Sequence, residues 1–348
     1  MARMPRVVLG SATSDNRKIT SAGTAARNED RVSFQRKGQI VGIYDGHGGA
    51  LCVDYVAKHA PGRLEAALVS RGLLQAEASS AVAAAVAGGA AKSGGLLRRL
   101  SQRLGAAPLA PPARPHSQEE RKQAESESED KGDLSEAAAP VRDDAFPLVA
   151  AAFMETFQQL EGEFRQVFDQ TGSVSGTCVL MTFLHQQVCY VAHAGDCRAI
   201  YRPLEARKGF FGKVKPTVQV TADHRVNVEG DERERVQSEG GVVRNGRIAT
   251  LSPSRTIGDF DVKLGLGSKH IVSALPDVNA FPVTEPTIVI LGTDGVWDGV
   301  SNSRAMELVD KSLRAFPDEP GRAASAVVQE AAQNTRDDVT CVVIFIEP

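Results

Sequence analysis

The chain has 348 residues, 42% of them hydrophobic and 24% charged, enough to bury one large core or two modest ones. Its 40 Lys+Arg against 43 Asp+Glu leave a net charge of −3, which excludes a global basic field and with it nucleic acid as the default partner. No run approaches the ~18–20 apolar residues of a membrane span, and the apolar stretch in MARMPRVVLGSATSDNRK is too short for the core of a signal peptide. Ala2 removes the N-myristoylation signal. Cys52, Cys178, Cys189, Cys197 and Cys341 form no CxxC pair and sit mostly in apolar sequence, the pattern of buried free thiols. The expectation is a reduced, intracellular chain, cytoplasmic and/or nuclear, without stable membrane insertion.

In chain order, QIVGIY (39–44) reads as a strand that stops at Asp45 and a glycine cluster, and ALCVDYVAKH (50–59) has helical spacing. The texture then changes. Nine of residues 76–91 are Ala, PLAPPARP follows at 108–115, and residues 117–144 hold ten acids against four bases. Such composition buries too little surface to offset its ordering entropy, so 76–144 is expected to be an insertion or mobile loop, with at most a short helix at LLRRLSQRL (96–104). Residues 146–170 repeat Phe153, Phe157, Leu160, Phe164 and Phe168 at three- and four-residue steps, the mark of one long amphipathic helix. Strand-like runs follow at 177–184, 188–194, 197–201, 218–221, 287–293 and 340–346, with helical patterns at 229–239, 303–313 and 322–333. Close neighbours with short links favour antiparallel pairing over a regular βαβ alternation. The basic, Phe-containing segment 202–215 reads either as a long hairpin with a solvated tip or as a docking patch.

The aspartates fall where apolar runs end. Asp45 closes QIVGIY, Asp196 follows VCYVAHAG, Asp294 ends TIVILGT, and Asp337 and Asp338 precede the last strand. Asp-Gly is also the commonest hairpin signal, which accounts for any one of these pairs but poorly for all of them together. The alternative is that several strand ends converge. Carboxylates ~4 Å apart then cost about 4 kcal/mol per pair at an effective dielectric of 20 unless cations intervene. An all-oxygen set with few histidines suits Mg²⁺ or Mn²⁺ rather than zinc, and two such ions ~3.5–4 Å apart can clamp a phosphoryl group. GHGGAL and GFFGKV match neither a dinucleotide nor a Walker loop.

AARNED, VGIYDGHGG, SGTCV, HAGDCRA, ADHR, ERVQSEGG, SRTIGDFD, ILGTDGVWD and TRDDVT occur in an order that resembles the PPM family, the PP2C-type Ser/Thr protein phosphatases. The likeness runs from about residue 20 to the end and implies a phosphatase domain over 15–348, interrupted at about 76–144. It implies an α+β fold: a four-layer α/β/β/α sandwich, two central, mostly antiparallel sheets flanked by helices. It further implies two Mg²⁺ or Mn²⁺ ions, phosphoprotein substrates and a monomer. By the same resemblance Asp45 bridges the two metals, with the Gly46 carbonyl and Glu29 (largely through water) on the second and Asp30 orienting them. Asp294 and Asp337 would hold the first, and Asp196 and Asp298 match a weaker third site of some members, shared with Asp294. His47 would be the general acid that protonates the leaving Ser or Thr oxygen, although a polar residue there could instead cap the following helix. Asp259 would stand close to the cleft, behind the ligands. The implied reaction is in-line attack on phosphorus by a metal-bridging hydroxide, with no cysteine nucleophile.

One position departs from the family. The phosphate-gripping Arg expected four residues before the first acid of the ED pair is Ala25, and the nearest is Arg27. A two-residue shift on extended chain keeps the same face, which leaves Arg27 able to reach the phosphate; otherwise that grip is weakened or supplied elsewhere. The loss also keeps open a second reading, a pseudophosphatase that uses the fold as a binding scaffold. His224 is expected to shape a flap loop at 222–240, His193 to lie in the core, and Trp297 to pack under the metal loop.

Overall fold

Strands whose side chains are apolar on both faces must be covered on both faces, and that requirement organises this chain. The computed structural model describes residues 5–14, 28–75, 143–204, 215–268 and 270–348. Chain contacts divide the protein into two units, Met1–Leu74 with Ala138–Pro348, and Gln75–Ala137; the described residues, Gln75 excepted, lie in the first. Residues 76–142 of the insertion expected over 76–144, Arg27 and the tip of the 202–215 segment lie outside the described residues.

Two antiparallel sheets form the centre. One runs β1 (Arg6–Ser14), β13 (Val339–Glu347), β12 (Thr287–Gly292), β6 (Arg198–Pro203), β7 (Val218–Gln219). The other runs β11 (Asp277–Pro282), β5 (Val188–Ala194), β4 (Gly176–His185), β3 (Ile40–His47), β2 (Arg31–Gln35), with β10 (Ile257–Gly258) paired to the start of β4. The period-two alternation of side chains builds the layers. Val41, Ile43, Leu180 and Val191 point inward against Ala199, Val289, Leu291, Val342 and Ile344 of the facing sheet. The alternate residues of the five-stranded sheet, Ile200, Ile288, Ile290, Cys341 and Val343, pack on Met306, Val309, Val327 and Val328 of two outer helices. These are α6 (Asn302–Ala315) and α7 (Pro320–Ala331). Against the six-stranded sheet lie α1 (Leu51–Ser70) and α2 (Phe146–Thr171), whose Val53, Val56, Leu64, Phe153, Phe157 and Phe164 are fully buried. The architecture is the four-layer α/β/β/α sandwich.

Several elements differ from the sequence expectation. α1 does not stop at His59 but runs through Pro61 to Ser70, because Cys52, Val56, Ala60, Leu64 and Leu68 continue one buried stripe that outweighs the lost backbone donor at the proline. The 218–221 run pairs only at Val218–Gln219. Strands β1, β2 and β11 lack a clean apolar alternation and form because a partner strand is present. β1 is the clearest case, since it pairs residue for residue with the far end of the chain, from Arg6 opposite Glu347 to Ser14 opposite Val339. The Asp294–Gly295 pair opens a short helix, α5 (Asp294–Trp297), rather than a hairpin.

Leu291, fully buried between the sheets, and Phe34, 42% exposed at an edge strand, give a direct check of this layering. Leu291→Ala should cost about 2–5 kcal/mol in urea unfolding, whereas Phe34→Ala should stay within about 0.5 kcal/mol.

Candidate active site

Antiparallel order places the C-terminal ends of β3, β5 and β12 and the starts of β2 and β13 along one edge of the sandwich, so acids distant in sequence meet there. Asp45 is the sixth residue of β3, opposite Cys178. Asp196 lies in the short link where the chain leaves one sheet at Ala194 and enters the other at Arg198. Asp294 begins α5 just after β12, and Asp298 ends it. One carboxylate oxygen each of Asp45, Asp196 and Asp294 lies within 4.8 Å of the others.

The surroundings make this gathering costly. Burial, and then the charges of Asp294, Asp30, Asp196 and Asp337, hold the Asp45 carboxyl well above the ordinary carboxylate range. Asp294 is pushed up in the same way, by burial first and by Asp196 next, with Arg225 pulling against them. Asp30 is raised by burial, offset in part by hydroxyl hydrogen bonds, among them one donated by Thr293 Oγ1 at 3.1 Å.

Hydrogen bonds separate satisfied oxygens from open ones. Arg225 donates from Nε to Asp196 Oδ2 (2.8 Å), from Nη2 to Asp294 Oδ2 (2.9 Å) and from Nη1 to Asp298 Oδ1 (3.0 Å). The Cys178 thiol donates to Asp196 Oδ1 at 3.2 Å. Among the described residues no donor reaches the Asp45 carboxylate or Asp294 Oδ1. The raised, donor-free Asp45 carboxylate and the donor-free Oδ1 of the raised Asp294 form a set that fits a hard divalent cation with oxygen ligands. Close by, the Glu29 backbone N–H donates to Asp338 at 3.2 Å, and the Asp338 N–H donates to Asp337 Oδ1 at 2.8 Å. A Cβ at Gly46 would sit 2.7 Å from the Glu29 carbonyl oxygen, so only glycine lets the segment before β2 approach β3 this closely.

On the other side of Asp45 stands His47. Its Nε2 lies 2.9 and 3.0 Å from the two oxygens of Asp259, a buried residue held at φ +51° with its N–H donated to the Ser175 carbonyl. Burial lowers the affinity of His47 for a proton, but the hydrogen bond and charge of Asp259, joined by the charges of Asp196 and Glu29, outweigh it and the imidazole pKa is raised. His47 therefore does not cap α1. The exposed start of that helix is served instead by Ser175 Oγ, which accepts from the Cys52 N–H at 3.1 Å.

The Protein phosphatase 2C family profile matches residues 112–340. The chain belongs to the PP2C family. Among curated relatives it is 35% identical over 173 residues to "Probable protein phosphatase 2C 2" of Oryza sativa subsp. japonica, covering 49% of this chain and 42% of that one. It is 32% identical over 213 residues to "Probable protein phosphatase 2C 27" of Arabidopsis thaliana, covering 60% and 52%. The chain thus spans about half the length of the curated relatives it matches. Among solved structures, serine-threonine phosphatase 2C from Toxoplasma gondii has the same fold, with a TM-score of 0.63 at 16% identity over 99% of this chain and 97% of that one.

Against the residues expected from the PP2C resemblance, Asp45, Asp196 and Asp294 come together, and Asp298 joins them through Arg225. Asp337 is near enough to raise both Asp45 and Asp294, and the Glu29 backbone lies against Gly46. His193 is fully buried, and Trp297 packs beneath the loop, donating Nε1–H to the Gly292 carbonyl at 3.0 Å. His224, also buried, stacks on His193 with ring centroids 4.3 Å apart. The sequence reading quoted ADHR but passed over Arg225, because nothing in local spacing says that its guanidinium reaches three acids 29 to 73 residues away.

Imidazole NMR titration of the metal-free protein checks the His47–Asp259 pair. His47 should titrate above 6.5, and Asp259→Asn should bring its midpoint down, since the largest contribution opposing burial is then gone and only the charges of Asp196 and Glu29 remain against it. The sign for stability follows. The pairing contributes fully below pH ~6.5 and is lost as pH rises through the raised folded value, so Asp259→Asn should destabilise the protein most on the acid side of that window.

Proposed function

We propose that this chain is a divalent-metal-dependent protein serine/threonine phosphatase, hydrolysing phosphoserine and phosphothreonine. The observation that carries the reading is the convergence of Asp45, Asp196 and Asp294 within 4.8 Å, with the Asp45 carboxylate unpartnered among the described residues and His47, paired with Asp259, two residues along the same strand. Family membership supports the reaction class.

Asp45, the Gly46 carbonyl and Glu29, with Asp294 and Asp337, are the residues that would hold two Mg²⁺ or Mn²⁺ ions. When bound, such ions supply positive charge for a phosphoryl group and lower the pKa of water. The chain's own residues supply the rest. Thr293 holds the Asp30 carboxylate and the Asp338 side chain holds the Glu29 backbone, so both segments are fixed beside the cluster before any ion arrives. His47, whose hold on a proton Asp259 strengthens, is the proton donor for the departing serine or threonine oxygen. The five cysteines are buried and their thiols, where shifted, are shifted upward by burial, which suits packing and not nucleophilic attack. Arg27 remains the candidate for the phosphate grip that Ala25 cannot provide.

Ala25 is also the feature that favours the second reading, a PP2C-fold scaffold without turnover. A phosphothreonine peptide and p-nitrophenyl phosphate, with Mn²⁺, Mg²⁺ or EDTA, separate the two. We expect turnover with either metal and none in EDTA; no turnover with both metals would favour the scaffold, and activity that survives EDTA would overturn the mechanism. Asp45→Asn should lower kcat at least about 100-fold, the scale of losing an electrostatic group at a reacting centre. His47→Gln should lower kcat more than it raises KM, with the loss greatest for the peptide, whose alkoxide leaving group needs a proton more than p-nitrophenolate does.

A further inference from the structure

The resemblance assigns Asp196, Asp298 and Asp294 to a third, weaker metal. In this structure those same acids surround the guanidinium of Arg225, and the contact is built rather than incidental. Arg225 is only 18% exposed in its side chain, and each of its three nitrogens donates to a different carboxylate. Both oxygens of Asp196 already accept a hydrogen bond, Oδ1 from the Cys178 thiol and Oδ2 from Arg225 Nε.

The backbone beneath Arg225 is clamped as well. The His224 N–H donates to the Gly195 carbonyl (3.2 Å), and the Ser254 N–H donates to the His224 carbonyl (2.8 Å). The Gly195 N–H donates to His224 Nδ1 (3.1 Å), so Nε2 carries the ring proton and gives it to Asp277 Oδ2 (3.1 Å). Arg225 itself bridges to Pro253. The guanidinium is therefore presented from a fixed base that also holds Gly195, the residue before Asp196. A guanidinium stays charged at every physiological pH, and its planar fork reaches several carboxylates at once.

We infer that Arg225 is a tethered counter-cation that fills the third metal position, so that this protein takes up two divalent ions where a three-metal relative takes up three. A divalent ion entering between Asp196, Asp294 and Asp298 would have to displace three charge-assisted hydrogen bonds and then share the space with a cation that cannot lose its proton. The two-ion centre loses little by it, because among the described residues no donor reaches the Asp45 carboxylate or Asp294 Oδ1. This inference rests on the proposed metal centre, and the experiment separates the two.

Bound Mn²⁺ is counted by the electron paramagnetic resonance signal of the free ion in titrations of the full chain and of Arg225→Gln and Arg225→Ala, with circular dichroism confirming the fold. The wild type should saturate at two ions, and both variants should bind one additional, weaker ion. Three ions on the wild type would overturn the inference on its own, whatever the variants do. Equal stoichiometry in wild type and folded variants would overturn it too. No bound Mn²⁺ on any of the proteins would instead overturn the metal centre itself, and the inference with it.

Discussion

Like charges held together in a poorly solvated place repel, and most of what is particular about this protein is arranged around that repulsion. The sandwich brings Asp45, Asp196 and Asp294 to one edge although the chain separates them by as many as 249 residues, and burial raises the cost of ionising them. A rigid frame is needed to hold carboxylates against their preference to part. The two sheets supply it, because every acid sits at or beside a strand end whose other residues are locked in a dry core. Removing any one strand would release the acid it carries, so the fold and the site are not separable layers of description.

The same repulsion explains the role of positive charge. Arg225 offsets the half of the cluster formed by Asp196 and Asp298, while Asp45 has no such partner among the described residues. The site is thus divided into a part neutralised by the chain itself and a part left for an external cation. His47 has its own acid, Asp259, and also feels the charges of Asp196 and Glu29. A methyl group at Gly176 would lie 2.1 Å from an oxygen of Asp259, so the glycine opening β4 is what lets that acid come under the histidine.

Between β7 and β11 the chain is held by ionic and hydrogen-bonded links with a small core of its own, Val226, Val236, Ile248, Leu251, Ile271 and Val272. Glu232 pairs with Arg235 and Arg255, and Arg255 continues to Asp277, the acid that also accepts from His224. Burial opposes the charge on Glu232, but its two arginines and the Ser254 hydroxyl hold the carboxyl down, at about 2. The stacked His193–His224 pair ends this chain of contacts inside the six-stranded sheet, where burial and the neighbouring ring push His193 down to about 3 and keep it neutral.

By itself the sequence determined the long helix over 146–170, the apolar strands β4, β5, β12 and β13, and the positions of the acids at strand ends. Each of these is written in a local period or a local change of composition. The nine ordered blocks also carried the family and the sandwich. What only the tertiary structure decided is which of those acids share one pocket, which of their oxygens are already satisfied, and which cation satisfies them. β1 and β11 likewise became strands only because partners lay alongside. The reason is the same throughout: a local pattern reports what a residue prefers with its neighbours in sequence, whereas a hydrogen bond from Arg225 to Asp298 exists only once the sheets have brought distant segments within 3 Å of each other.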